Sequence, residues 1–261
     1  GGKYLISLLS GHIGRANEWC SKLAVRIGAM PVITTATDAR GMFAVDIFAT
    51  EHNMRIVNPV MIKDISGRIL NNEPVGITGN DKYKNLLKVT EERWNGQIKY
   101  TDNSNNEYES GVQIITGKDD KIVFKRTLKL VPQELAVGIG CKKGKSAHEI
   151  ERAVKKTFDK AGLLLEAIAV VASVDRKADE AGIIEFARKC KVPYKTYTPE
   201  YLRDVEGDFV SSAFVEEQIG VGNVCERSAG AASSGGEKLV GKTADNGVTV
   251  AIYRVAQKNK E

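Results

Sequence analysis

Leu135-Ala136-Val137-Gly138-Ile139-Gly140-Cys141-Lys142-Lys143-Gly144-Lys145-Ser146-Ala147-His148-Glu149-Ile150 decides the fold of this 261-residue chain. Its apolar start, Leu135 to Ile139, has no helical period and reads as a buried strand. Gly140 to Lys145 is a loop. Ser146 and Glu149 stand in capping-box spacing, and Ile150, Val154, Phe158 and Ala161 then recur as one helical stripe. The same order of strand, loop and helix recurs on both sides. Downstream, Ala167 to Ser173 reads as a strand, Ile183, Ala187 and Cys190 as a helix face, and Tyr194 to Tyr197 as a strand. Thr198-Pro199 opens a short helix, and Val248 to Arg254 is a closing strand after the Ser233 to Gly236 cluster. Upstream, Tyr4 to Leu9 is a strand, Ser10 to Arg15 a turn, and Trp19, Cys20, Leu23, Ala24 and Ile27 a helix stopped by Gly28. Pro31 to Ile33 is the next strand.

Alternating strands and helices imply an α/β protein: parallel-sheet α/β domains with helices on both faces. Asn58-Pro59 reads as the cap and first residue of a helix carrying Ile62, Ile65 and Ile69. From Thr78 to Val131 the texture turns polar, with an Asn-rich stretch at 101–109 and short β-prone pieces at 112–115 and 128–131. The organisation expected is therefore an α/β portion at 1–53, a smaller middle or connector region at 54–132, and a second α/β domain at 133–261.

Hydrophobic residues make up 42% of the chain and charged residues 27%, which excludes disordered and fibrous classes. Lys and Arg exceed Asp and Glu by 38 to 33. That excess is too small and too evenly spread to argue for nucleic acid, and it favours an anionic ligand. Cys20, Cys141, Cys190 and Cys225 lie far apart, without a C-x-x-C pair. They form neither a zinc ribbon nor a disulfide framework and suit a reducing cytoplasm. The longest apolar stretch, Leu163 to Ala172, is broken by Glu166 and falls short of the roughly 18 residues of a membrane span.

Three loops could carry chemistry. Gly138 to Ser146 offers helix N-terminal amides together with Lys142, Lys143 and Lys145, which suit a phosphate or carboxylate; a tight turn with solvated lysines is the plainer alternative. It is not a P-loop, because the residue five before Gly144 is Ile139. It is not a dinucleotide fingerprint either, because its third glycine comes one residue late. Ser10 to Asn17 places a hydroxyl, an imidazole and an amide beside Gly11 and Gly14, and His12 can transfer protons near neutral pH; a structural role is the plainer alternative for a lone loop histidine. Thr35, Thr37 and Asp38 end the neighbouring strand, where a carboxylate could orient an imidazole; a plain turn explains them equally. Asp179-Glu180 opens a helix after a strand, and Asn223 and Glu226 stand in capping-box spacing. Cys141 and Cys225 lack a sequence-local His and read as packing residues. There is no G-x-S-x-G elbow.

Several of these motifs, in order, resemble the cobalamin biosynthesis protein G (CbiG) family. Ser7-Leu8-Leu9-Ser10-Gly11-His12, Gly14, Ala16-Asn17 and Pro31 to Asp38 resemble its N-terminal signature. Gly138-Ile139-Gly140-Cys141, Gly144, Lys177-Ala178-Asp179-Glu180, Val221 to Glu226 and Gly247 to Ala251 resemble its C-terminal domain. Arg15 and Arg227 depart from the family's usual Gly and Pro. The family normally has a further stretch ahead of the segment equivalent to Tyr4, so 1–53 is expected to be the C-terminal part of its first α/β domain.

The resemblance implies a cobalt-precorrin-5A hydrolase of anaerobic cobalamin synthesis, which opens a δ-lactone and releases acetaldehyde to give cobalt-precorrin-5B. A corrinoid-binding or carrier module without chemistry is the alternative. For such a reaction His12 is the candidate base and Asp38 its orienter, and substrate contacts are expected from Ser10, Gly11, Gly14, Asn17, Thr37, Gly140, Cys141, Lys142, Lys143, Lys145, Asp179, Glu180, Asn223 and Glu226. No cofactor or metal of the protein's own is expected, since cobalt arrives inside the tetrapyrrole substrate. The expected partners are that small molecule and a second copy of the chain or neighbouring pathway enzymes, with neither nucleic acid nor membrane.

Overall fold

The computed structural model describes residues 2–7, 16–33, 42–102, 104–105, 107–207, 209 and 222–256. The chain divides into two units: residues 1–115 with 120–132, and residues 116–119 with 133–261.

The N-terminal unit begins with β1 (Tyr4–Ser7) and β2 (Met30–Ile33), parallel and joined by α1 (Ala16–Ile27). Cys20 and Ala24 are the buried side of α1, and the Cys20 thiol donates to the Leu5 carbonyl at 3.1 Å. The same unit holds a second sheet, within the stretch 54–132 that the sequence reading takes as a middle or connector region. β3 (Met54–Ile56), β4 (Gly76–Thr78), β5 (Lys99–Tyr100), β6 (Ser110–Ile114) and β7 (Arg126–Pro132) form a sheet in the order β3-β7-β6-β4-β5. All its pairs are parallel except β3 with β7. Helices α2 (Val45–Glu51), α3 (Met61–Leu70) and α4 (Lys84–Arg93) accompany it. Phe43, Phe48, Ile65, Ile77, Leu87, Val112 and Leu128 share one core cluster. Every residue of β6 is buried, as a central strand covered on both faces requires.

Asn58 does not cap α3. The helix starts after Val60 with no side-chain cap. The Asn58 carboxamide instead donates to the Thr127 carbonyl and accepts from the Lys129 amide, both at 2.8 Å, so it satisfies two backbone groups of β7.

The C-terminal unit has β8 (Leu135–Cys141), β9 (Ile168–Val174) and β10 (Tyr194–Tyr197) parallel, extended by β11 (Lys238–Asp245) and β12 (Val248–Arg254) in the order β10-β9-β8-β12-β11. The α/β class and the parallel strands follow the sequence reading, but the sheet is mixed: β12 runs antiparallel to β8, and β11 antiparallel to β12. The β11–β12 pair is set antiparallel by the turn Asn246-Gly247, both at positive φ (45° and 77°). Such a two-residue connection makes a hairpin rather than a crossover.

Helices cover both faces of this sheet. Ala136, Val170 and Ala172 pack with Ala232, and Ala251 and Tyr253 with Cys225 and Ala229, so α8 (Val224–Ser233) lies on that face. Successive strand residues alternate faces, and fully buried Val137, Ile139 and Val171 turn to the other side. There α5 (Ala147–Lys160) brings Ile150, Val154 and Phe158, next to α6 (Ala181–Cys190). The short helix α7 (Pro199–Arg203) is capped by the Thr198 side chain, as its Thr-Pro start indicates. Among the described residues, no helix is long and apolar enough to cross a membrane.

Candidate functional site

In the C-terminal unit the parallel strands end at one sheet edge, and the loops leaving it carry most of the expected contacts. β8 brings Cys141 to the edge, and the Lys142 amide donates to the Gly247 carbonyl of the hairpin turn at 3.0 Å. Lys142 and Lys143 are exposed there. Lys145 turns inward to the Glu149 carboxylate at 2.7 Å.

Ser146 caps α5 as the spacing requires: its hydroxyl accepts the Glu149 amide, and the Glu149 carboxylate accepts the Ser146 amide at 3.0 Å. The bond from Lys145, followed by those from Ser146, pulls the Glu149 carboxyl down to about 2. A carboxyl depressed by folding contributes stability above its ordinary value, and that contribution is lost as pH falls towards 2. Ser146→Ala is therefore expected to cost about 1 kcal/mol in chemical denaturation. Carboxyl NMR should show the Glu149 midpoint rising towards the ordinary range in that variant.

β9 ends in a single 3-10 turn, Asp175–Lys177, that leads into α6. Glu180, the residue before α6, makes no cap bond to its own helix. Its carboxylate instead accepts the Gly144 amide at 2.8 Å and the Lys177 ammonium at 2.9 Å. Burial pushes this carboxyl up, but the bonds from Lys177 and Gly144, with the charges of Lys177 and Lys143, outweigh burial and hold it below the ordinary value. The Tyr194 hydroxyl donates to the Lys177 carbonyl at 2.8 Å. A β-carbon at Gly182 would overlap the Lys145 carbonyl, so the first turn of α6 lies directly on the lysine loop.

Gly140, Cys141, Lys142, Lys143 and Lys145 thus share one edge with Glu180, while Asp179 is exposed beside it. Lys177 and Tyr194 belong to the same cluster and were not among the expected contacts; only the three-residue spacing of Lys177 to Glu180 hinted at the first. Cys141 is half-buried at the start of this loop. Burial raises its thiol pKa, Lys177 and Lys145 work against this and Glu180 with it, and the net direction is upward.

Asn223 and Glu226 sit on α8, on the opposite face. Asn223 is left-handed (φ 55°) and its side chain accepts the Glu226 amide at 3.4 Å. The box is not reciprocal, because buried Glu226 accepts the Lys242 amide of β11 at 2.5 Å and lies 3.4 Å from the Lys238 ammonium. Between them, Cys225 is buried and its thiol pushed up to about 11 by desolvation, which keeps it protonated.

Asn17 lies in the first turn of α1. Ser10, Gly11, His12, Gly14, Thr37 and Asp38 fall outside the described residues. The strands leading into their two segments end side by side, with Ser7 paired to Ile33.

Three family models match consecutive parts of the chain: cobalamin synthesis G N-terminal at residues 1–38, cobalamin biosynthesis central region at 43–132 and cobalamin synthesis G C-terminus at 135–253. A protein of Salmonella typhimurium named cobalt-precorrin-5A hydrolase is 33% identical over 96% of this chain and 71% of its own length. The chain belongs to the cobalamin biosynthesis G family. A Priestia megaterium member of the same name is 28% identical over 78% of this chain, which spans 56% of that relative's length. Among solved structures, CobE, described as a protein from the cobalamin (vitamin B12) biosynthetic pathway, is 29% identical, with 49% of this chain and 94% of that chain covered at a TM-score of 0.45. The lysine loop, Glu180 and α8 fall within the family's C-terminal model, and His12 and Asp38 within its N-terminal one.

Proposed function

We propose that the chain is a cobalt-precorrin-5A hydrolase, opening the δ-lactone of a cobalt-containing corrinoid and releasing acetaldehyde to leave cobalt-precorrin-5B. The observation that carries this is the 33% identity, over 96% of the chain, to the Salmonella protein of that name. Water adding to a lactone carbonyl needs a base for its proton and donors for the oxyanion. In this reading His12 is the base and Asp38 its orienter. The adjacent ends of β1 and β2, from which their segments leave, support the pairing. In the same reading backbone amides of a glycine loop stabilise the oxyanion. Cobalt enters as part of the substrate, and the protein needs no cofactor of its own. A reducing, cytoplasmic setting belongs to the same reading and agrees with four cysteines that form no disulfide.

The substrate's carboxylates are assigned to Lys142 and Lys143. Each charge-assisted contact contributes on the order of 1.5 to 3 kcal/mol, so Lys142→Ala with Lys143→Ala is expected to weaken corrinoid binding at least tenfold and to flatten its salt dependence. Unchanged affinity at low ionic strength would reduce the loop to a solvated turn. Mass spectrometry of the corrinoid tests the function itself: the product should have gained one water and lost one acetaldehyde. A bound corrinoid of unchanged mass would mark a carrier instead.

A further inference from the structure

The Gly144 amide of the lysine loop and the Lys177 ammonium of the turn before α6, two donors that could meet an anion, are already held by a carboxylate of the chain. Glu180 is 9% exposed and Lys177 15%. One Glu180 oxygen takes the Gly144 amide at 2.8 Å and the other the Lys177 ammonium at 2.9 Å. Both sides are packed: Tyr194 holds the Lys177 carbonyl, and the backbone at Gly182 lies against that of Lys145. Lys145 is taken by Glu149. Lys142 and Lys143 remain exposed and, among the described residues, in no ion pair.

We propose that Glu180 is the positioning residue of the carboxylate site: its own carboxylate fills the inner anion position and, through the Gly144 amide, fixes the loop on which Lys142 and Lys143 meet the acidic side chains of the substrate. A largely enclosed ammonium such as that of Lys177 is costly to leave without a partner. It would also bind any small carboxylate, and a tethered carboxylate outcompetes such anions because it is always present at high effective concentration. A loop fixed in advance loses less freedom when substrate docks, so the outer lysines bind at lower entropic cost. The assignment rests on the hydrolase reading only in naming a polycarboxylated corrinoid as the substrate.

Acetate is the probe. In the wild type the Gly144 amide signal in a proton–nitrogen NMR spectrum should not respond to acetate. In Glu180→Ala it should move saturably as acetate takes the vacated place. With cobalt-precorrin-5A, Glu180→Ala should raise KM about tenfold with kcat little changed, and acetate should restore part of the loss. Should the alanine variant not fold, Glu180→Gln carries the test. Its carboxamide keeps the Gly144 bond but leaves the Lys177 charge unbalanced, so acetate should shift the Lys177 ammonium signal, which it should not do in the wild type. An acetate response at Gly144 in the wild type, no response in either variant, or a fall in kcat at unchanged KM overturns the assignment. If acetate enters as described and Glu180→Ala weakens corrinoid binding about tenfold while even the wild type yields no acetaldehyde, the positioning role stands and the hydrolase reading falls.

Discussion

Gly138→Ala is expected to lower the unfolding midpoint of the C-terminal unit by roughly 10 °C, the equivalent of about 3 kcal/mol in a body of this size. Gly138 lies in the middle of β8, where a β-carbon would overlap the Cys225 carbonyl and crowd the Ala229 amide. Both are backbone atoms of α8, so no side chain can turn aside, and the helix must lift from the sheet. Lifting it would loosen the Ala136–Ala232 and Ala229–Ala251 packing together and pull Glu226 from the Lys242 amide. Calorimetry reads the shift. Gly67→Ala is the control: Gly67 lies inside α3, and a β-carbon there would meet nothing within 4 Å, so alanine should stabilise by roughly 0.5 to 1 kcal/mol. Equal effects of the two changes would mean that α8 does not ride on β8 as described.

The largest functional effect is expected at His12. A general base typically contributes about 10²- to 10⁴-fold, so His12→Ala should lower turnover within that range while leaving the unfolding midpoint unchanged. His12→Gln separates proton transfer from hydrogen bonding, since the amide can donate and accept but cannot take the water's proton. Near-normal activity of the glutamine variant between pH 6 and pH 8 would move the base elsewhere, with Asp38 the first residue to test.

What the sequence could announce depended on how local each signal was. Leu135 to Ile150 was legible because an apolar strand, a glycine loop and a Ser-Glu cap all lie within sixteen consecutive residues, and Ser146 makes both bonds that its spacing promises. β11 was not, because Lys238 to Asp245 is a half-exposed edge with charged residues at 238, 242 and 245 and no apolar run. Asn246-Gly247 was the available signal for it, and a hairpin turn there would have marked β11 and the antiparallel edge together.

Asn58 shows the limit in another form. Its local context asks for a helix cap, but the partners it takes, at Thr127 and Lys129, lie about 70 positions away. The middle region looked like a connector because its texture is polar, with an Asn-rich stretch at 101–109 and only short β-prone pieces, one of which contains Gln113. That side chain is buried because it bonds the Lys121 carbonyl and the Val123 amide. Within the site, the lysines of the loop could be read from their positions. The Glu180–Gly144 bond spans 36 residues and depends on how α6 meets the loop, which no local pattern encodes.

Acetaldehyde release from cobalt-precorrin-5A, followed by coupling to an NADH-dependent alcohol dehydrogenase, is the most direct test of the proposed hydrolase. One acetaldehyde for each corrinoid converted, lost together with turnover in His12→Ala, is the result expected. Saturable binding of the corrinoid with no acetaldehyde, from wild-type protein under the same conditions, would contradict it.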